Sequence, residues 1–263
     1  MTARGEDQTD RLIVGGIELE TLRRGRGRKL LLLHGFEPIP PTARFLDLLA
    51  SRFEIIAPSR PGFGRSARPD DVGSVYDLVH LYLDLLDTLP DGLVSVVGFS
   101  FGGWLAAEIA AASGHRIDRL VLVDALGIKI SDRESPDIMD IFNTHPRDVA
   151  PRRWRDPGRF APDFDSMSDD DIVAYARNRE ALCLYGWHPY MHNPRLKRWL
   201  AGIRVPTLVL WGAQDGVVAP SYGQAYAALI PGARFAMIDQ AGHHPELEQP
   251  EAFADHVLGF LEG

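Results

Sequence analysis

The chain has 263 residues, 45% of them hydrophobic, with 28 basic and 36 acidic side chains and a formal charge of −8. That balance argues against a phosphate-backbone partner, because nucleic-acid binders need a basic face. No run reaches the roughly 18 apolar residues of a membrane span, and the one cysteine, Cys183, excludes an intrachain disulfide or a cysteine-built metal site. Met1–Asp10 is polar and lacks the apolar stretch of a signal peptide, so a cytoplasmic location is expected.

Arg11–Val14 and Ile17–Leu22, joined across Gly15-Gly16, read as a hairpin. Lys29–Leu33 is a short, continuously apolar run of the kind buried on both faces of a parallel sheet. The same character recurs at Phe53–Ala57, Leu93–Val97, Leu120–Val123, Thr207–Trp211 and Arg234–Ile238. Helical patterns fall between these runs at Ala43–Ser51, Tyr76–Leu89, Phe101–Ala112 and Ser221–Ile230, and the last covers Glu251–Leu261. Strands alternating with helices after an initial hairpin predict a mostly parallel sheet flanked by helices on both faces.

The alternation stops once, from Gly127 to Leu200, where the composition shifts to Pro, Asp, Arg and aromatics. Within it, Ser168 followed by Asp169, Asp170 and Asp171 predicts a capped helix start with carboxylates at its positive end, the helix running toward Tyr185. Cys183 falls inside that helix and reads as a small buried filler. The expected organisation is a core of residues 1–126 and 201–263 with a helical insertion at 127–200.

Gly98-Phe99-Ser100-Phe101-Gly102-Gly103 matches G-x-S-x-G with a buried strand before it and a small-residue helix after it. A serine on a sharp strand-to-helix turn leaves no room for side chains at the flanking positions, which glycine answers. Ser100 is therefore the candidate nucleophile. Its base should lie in Gly242-His243-His244-Pro245, after the last strand, with His243 favoured over His244. Asp215, just beyond the penultimate strand, is the favoured acid, and Asp124, also at a strand end, competes with it. Backbone N–H groups of Phe101 and Phe36 are the candidate oxyanion donors. His34 reads as structural.

His34-Gly35-Phe36, Arg60-Pro61-Gly62-Phe63-Gly64-Arg65-Ser66, the Ser100 motif, Trp211-Gly212-Ala213-Gln214-Asp215 and Gly242-His243-His244-Pro245 occur in one order. In that order the chain resembles the α/β-hydrolase fold superfamily from about residue 12 to the end, apart from the insertion. The resemblance implies an eight-stranded core, a cap over the site, and a catalytic triad on Ser100, Asp215 and His243. The serine argues against relatives that use an aspartate nucleophile, the haloalkane dehalogenases and epoxide hydrolases. Carbon–carbon bond hydrolases keep the serine but often carry tryptophan directly after the histidine, where this chain has His244. Glu37, in the stiff Glu37-Pro38-Ile39-Pro40-Pro41 loop, is expected to face water.

Phe99, Trp187 and Tyr190 are candidate pocket residues that suit a substrate with an apolar acyl or alcohol group. His188 and His192 are interrupted by Pro189 and lack a third ligand, so no metal site is expected. The leading expectation is a carboxylic-ester hydrolase acting on a small-molecule ester without a cofactor. The alternative is a carbon–carbon bond hydrolase, with Arg177, Arg179 and Arg195 available as cationic groups. A ligand-binding receptor on the same fold would not need a complete set of nucleophile, base, acid and oxyanion donors.

Overall fold

The computed structural model describes residues 8–89, 92–132 and 134–263; most of Met1–Asp10, read above as lacking a signal peptide, lies outside them. The strands are β1 (Gln8–Val14), β2 (Ile17–Arg24), β3 (Arg28–Leu33), β4 (Phe53–Pro58), β5 (Val94–Phe99), β6 (Ile117–Val123), β7 (Thr207–Gly212) and β8 (Arg234–Ile238). They form one eight-stranded sheet in the order β1-β2-β4-β3-β5-β6-β7-β8. β2 runs antiparallel to β1 and β4, and every other pairing is parallel. The opening hairpin turns because Gly15 and Gly16 adopt φ of 55° and 80°, the left-handed pair that a two-residue turn between twisted strands requires.

Strands β3–β7 are largely buried on both sides, whereas β8, at the sheet edge, is only partly covered and leaves Met237 exposed. Leu31 and Leu33 of β3 join the cluster that holds Leu78, Tyr82 and Leu85 of α2 (Val75–Thr88), Leu105 of α3 (Phe101–Ser113) and Tyr226 of α8 (Pro220–Leu229). Leu30 and Leu32 turn the other way, toward Phe45 and Leu49 of α1 (Arg44–Ala50) and Phe253 and Val257 of α9 (Pro250–Glu262). Each such burial contributes about 1.5–3 kcal/mol, so this run could not tolerate an alternating polar pattern. α2 starts at a capping box, in which Ser74 accepts from the Asp77 N–H and the Asp77 carboxylate accepts from the Ser74 N–H.

Between β6 and β7 lie α4 (Pro146–Arg153), α5 (Pro157–Phe160), α6 (Asp169–Gly186) and α7 (Leu196–Trp199). The Ser168 hydroxyl accepts from the Asp171 N–H at 3.2 Å and opens α6. α6 docks on the loop after β4: Asn178 accepts from the Gly64 N–H at 2.9 Å, and the Tyr185 hydroxyl donates to the Pro61 carbonyl at 3.1 Å. Cys183 is half-buried in this helix and not the fully enclosed filler expected. α4 was not foreseen. It is polar and contains Pro151, so it lacks an apolar stripe, and its start rests on Pro146 at the first helical position. No helix among the described residues is long and apolar enough to cross a membrane.

Candidate active site

The Ser100 motif folds as its glycines demand. Ser100 joins β5 to α3 at φ 49° and ψ −115°, a backbone region that L-residues rarely occupy. The turn is held by the Ser100 N–H donating to the Val123 carbonyl at 2.8 Å. A Cβ on Gly102 would lie 2.0 Å from the Leu33 carbonyl oxygen, and one on Gly98 would lie 2.4 Å from the Gly102 carbonyl oxygen. Both obstacles are backbone, so neither can swing aside.

The Ser100 hydroxyl lies 2.7 Å from His243 Nε2, and His243 Nδ1 lies 2.7 Å from Asp215 Oδ2. The other Asp215 oxygen accepts from the Val217 and Val218 N–H groups at 2.8 and 3.1 Å, which aims the carboxylate at the imidazole. All three side chains are buried. Nδ1 carries the proton that Asp215 accepts, leaving Nε2 free to take the serine proton, the arrangement that base catalysis needs. His244 turns away from Ser100. Asp124 is close, with one oxygen accepting from the Gly212 N–H at 2.9 Å, but the hydrogen bond from His243 goes to Asp215.

The loop after β3 is fixed by a buried cation. Arg60 donates through its two terminal nitrogens to the carbonyls of His34 and Gly35, and its backbone N–H donates to His34 Nε2 at 3.0 Å. Its guanidinium also lies over Phe63 and Phe101, at 4.5 and 4.7 Å. Burial lowers the Arg60 pKa to about 10 and, together with the Arg60 charge, pushes His34 well below its ordinary value, so His34 stays neutral and structural. With those carbonyls pulled toward Arg60, the Phe36 and Phe101 N–H groups have no hydrogen-bond partner among the described residues. Gly35 presses on Ser100, since a Cβ there would stand 3.2 Å from Ser100 Cβ. Phe36 stacks on His243 with ring centroids 5.5 Å apart.

Sequence reasoning missed the end of α4. The Arg153 guanidinium lies 5.5 Å from the Phe36 ring and forms a two-pronged pair with Glu37, while its Nε donates to His244 Nε2 at 2.8 Å. Glu37 therefore does not simply face water: it is half-buried and paired with Arg153. Burial would raise its carboxyl, but the Arg153 charge and hydrogen bonds outweigh that and hold it below its ordinary value. His244, lowered by burial and by Arg153, is neutral; its Nδ1 donates to Glu246 at 3.0 Å. Burial raises Glu246 to about 8. The main chain ties α4 to the loops bearing Asp215 and His243: the Arg152 carbonyl accepts from Gly216 N–H at 2.9 Å and the Arg153 carbonyl from His243 N–H at 2.8 Å. The Glu248 carboxylate spans the same seam, accepting from the N–H groups of Gly242, Arg155 and Asp156. The only hint in the sequence was the run Arg152-Arg153-Trp154-Arg155.

Two cavities meet along the Glu37–Arg153 pair. One, of about 210 Å³, is lined by Phe36, Ile141, Phe164, Leu182 and the arginines Arg147, Arg153 and Arg179. The other, of about 230 Å³, is lined by Gly35, Phe45, Phe99, Phe160, His244 and Glu246. Phe99 thus reaches a cavity, though its ring also packs against Phe45 and Phe253. Trp187 and Tyr190 line neither cavity. Trp187 is exposed with its ring near Phe142, and the Tyr190 hydroxyl is used up between the Ile141 N–H and the Met139 carbonyl. Of the three arginines suggested as cationic groups, Arg179 lines the first cavity, Arg177 holds the Ser66 carbonyl and Arg195 is exposed.

Residues 30–256 match the profile of the alpha/beta hydrolase family. The chain belongs to that family. It is 33% identical over 263 residues to polyketide synthase ThaQ of Burkholderia thailandensis, a match that covers 94% of this chain but spans only 12% of that protein. It is 29% identical over 268 residues to 2-hydroxymuconate semialdehyde hydrolase of a Pseudomonas species, covering 95% of this chain and 92% of that one. The structure of a meta-cleavage product hydrolase (CumD) from Pseudomonas fluorescens superposes with a TM-score of 0.78 at 22% identity, covering 96% of this chain and 97% of that one. Together with the geometry of the site, the family makes this chain a hydrolase.

Proposed function

We propose that this hydrolase cleaves a carbon–carbon bond next to a carbonyl group in a conjugated oxo acid, with Ser100, His243 and Asp215 as its catalytic triad. The hydrogen-bonded chain Ser100–His243–Asp215, 2.7 Å at each link, carries the reading that the protein is a serine hydrolase. The choice of bond is supported by the relative named for 2-hydroxymuconate semialdehyde and by the arginine-bearing apolar cavity beside Phe36. This replaces the ester hydrolase expected from the sequence, whose cues did not reveal Arg153.

In this mechanism the oxo acid is bound with its carboxylate toward Arg153 and converted to its keto form, which places a proton on the carbon that will leave. Ser100 Oγ adds to the carbonyl carbon as His243 takes its proton, and the N–H groups of Phe36 and Phe101 hold the oxyanion. Collapse breaks the carbon–carbon bond. The electron pair passes into the conjugated fragment, which takes the proton from His243. Water, deprotonated by His243, then releases the acyl group from Ser100. Ester hydrolysis uses the same steps with an alcohol leaving, and the neutralisation of Arg153 by Glu37 favours it for uncharged substrates.

The test is turnover of 2-hydroxy-6-oxo dienoates beside p-nitrophenyl esters, for wild type and Ser100→Ala. The expected result is dienoate turnover that exceeds ester turnover and vanishes in the variant. Efficient ester turnover with none of the dienoates would return the assignment to an esterase. An active Ser100→Ala enzyme would remove the nucleophile.

A further inference from the structure

Asp124 ends β6 in the left-handed region at φ 44°, fully buried, beside the catalytic groups but bonded to neither Ser100 nor His243. One of its oxygens accepts from the Gly212 N–H at 2.9 Å, and the other is buried with no N–H or hydroxyl partner among the described residues. Ligand-type atoms of Asp124, Asp215 and His243 all lie within 4.8 Å of one another. Asp215 Oδ1 accepts from the N–H groups of Val217 and Val218, whereas Oδ2 accepts from His243 and has room for one more donor. Two carboxylates cannot both be ionised at such range away from water, and a bare buried carboxylate oxygen is costly. A proton on the unpartnered oxygen removes both difficulties, because it turns that oxygen into a donor facing Asp215.

We propose that Asp124 and Asp215 share one proton, resident on Asp124, which makes Asp124 a neutral positioning residue that donates a hydrogen bond to the acid of the triad. The groups that act on it agree. Burial is the main influence and the charge of Asp215 on the β7–α8 loop the next; both push the Asp124 carboxyl well up. Only the Gly212 N–H opposes them, and Glu246, beyond β8, adds its charge once it ionises above about pH 8. Asp124 thereby braces Asp215 without adding a second negative charge beside His243.

The inference rests on the catalytic reading of Ser100, His243 and Asp215, and two experiments separate its failure from the failure of that reading. The first follows the rate at which a fluorophosphonate labels Ser100 as a function of pH, in wild type and Asp124→Asn. Asparagine keeps an acceptor for Gly212 and a donor for Asp215, so the acid limb of the profile is expected to stay in place. Were Asp124 a carboxylate, the substitution would delete a charge within 4.8 Å of the base and move that limb down by about 2.5 pH units or more at an effective dielectric of about 20. Such a displacement overturns the proposal, whereas no labelling of wild type at all would instead sink the triad. The second experiment needs neither catalysis nor a variant that folds. In wild-type protein carrying [4-¹³C]aspartate, one carboxyl resonance is expected at the protonated position at neutral pH; only carboxylate resonances there would refute the shared proton.

Discussion

Replacing Glu246 by glutamine should make the protein more stable, and increasingly so as the pH rises. Glu246 is buried beside the second cavity, with one oxygen accepting from His244 and the other without a partner. Its carboxyl moves from an ordinary 4.5 to about 8, so the folded state holds the proton more tightly than the unfolded chain. The contribution is fully present below pH 4.5 and is lost as the pH climbs through 8. That displacement corresponds to about 5 kcal/mol in all, most of it lost between pH 5 and 8. A total stability of about 5–15 kcal/mol makes such a loss consequential. Glutamine keeps a carbonyl for the His244 N–H and cannot ionise. Guanidinium unfolding of both proteins at pH 5, 6.5 and 8 measures the difference: nearly equal stability is expected at pH 5 and a gap of several kcal/mol in favour of the variant at pH 8. Parallel stability curves would show that Glu246 is an ordinary carboxylate and that the reasoning from burial is wrong.

Four other substitutions act locally. Gly102→Ala should prevent stable folding, because its Cβ meets the Leu33 and His34 carbonyl oxygens at 2.0 and 2.4 Å; Gly202→Ala, with nothing within 4 Å, should change the unfolding midpoint little or raise it slightly. Glu248→Ala should cost about 3 kcal/mol or more, as three N–H groups lose their acceptor, and a midpoint shift below 1 kcal/mol would mean that water replaces the carboxylate. Arg153→Lys should raise KM for dienoate substrates tenfold or more, since one ammonium cannot span Glu37 and His244 and still face a carboxylate. The same variant should hydrolyse a small neutral ester within about threefold of wild type; equal losses on both substrates would place Arg153 in support of the catalytic loops and not in substrate recognition.

Much of the fold was legible because it rests on local, repeated signals. Unbroken apolar runs marked the strands, the glycine pair marked the hairpin, and Ser168 with its three aspartates marked the start of α6. α4 was not legible. Its polar surface carries no helical stripe, since its function in the fold is to lay main-chain carbonyls and Arg153 against loops that lie far away in sequence. Glu37 read as a surface carboxylate for the same reason: its partner is 116 residues distant. Trp187 and Tyr190 looked like pocket residues by composition, but an aromatic ring does not declare whether it meets substrate, solvent or a neighbouring backbone.

Which groups compete for each place in the site is written in the order of the amino acids. The turn geometry of G-x-S-x-G requires glycine locally, and strand ends announce themselves by the loss of apolar residues, so Ser100 and the loops bearing Asp124, Asp215, His243 and His244 could be read directly. Packing in three dimensions chose between neighbours. His243 reaches Ser100 because its main chain is pinned to Arg153, whereas His244, one residue on, is turned into a buried chain with Arg153 and Glu246. Asp215 reaches the imidazole because Val217 and Val218 aim it, which leaves Asp124 facing another carboxyl. Chemistry of this kind depends on ångström-scale direction and on burial, and both arise from packing among segments that the chain order keeps apart.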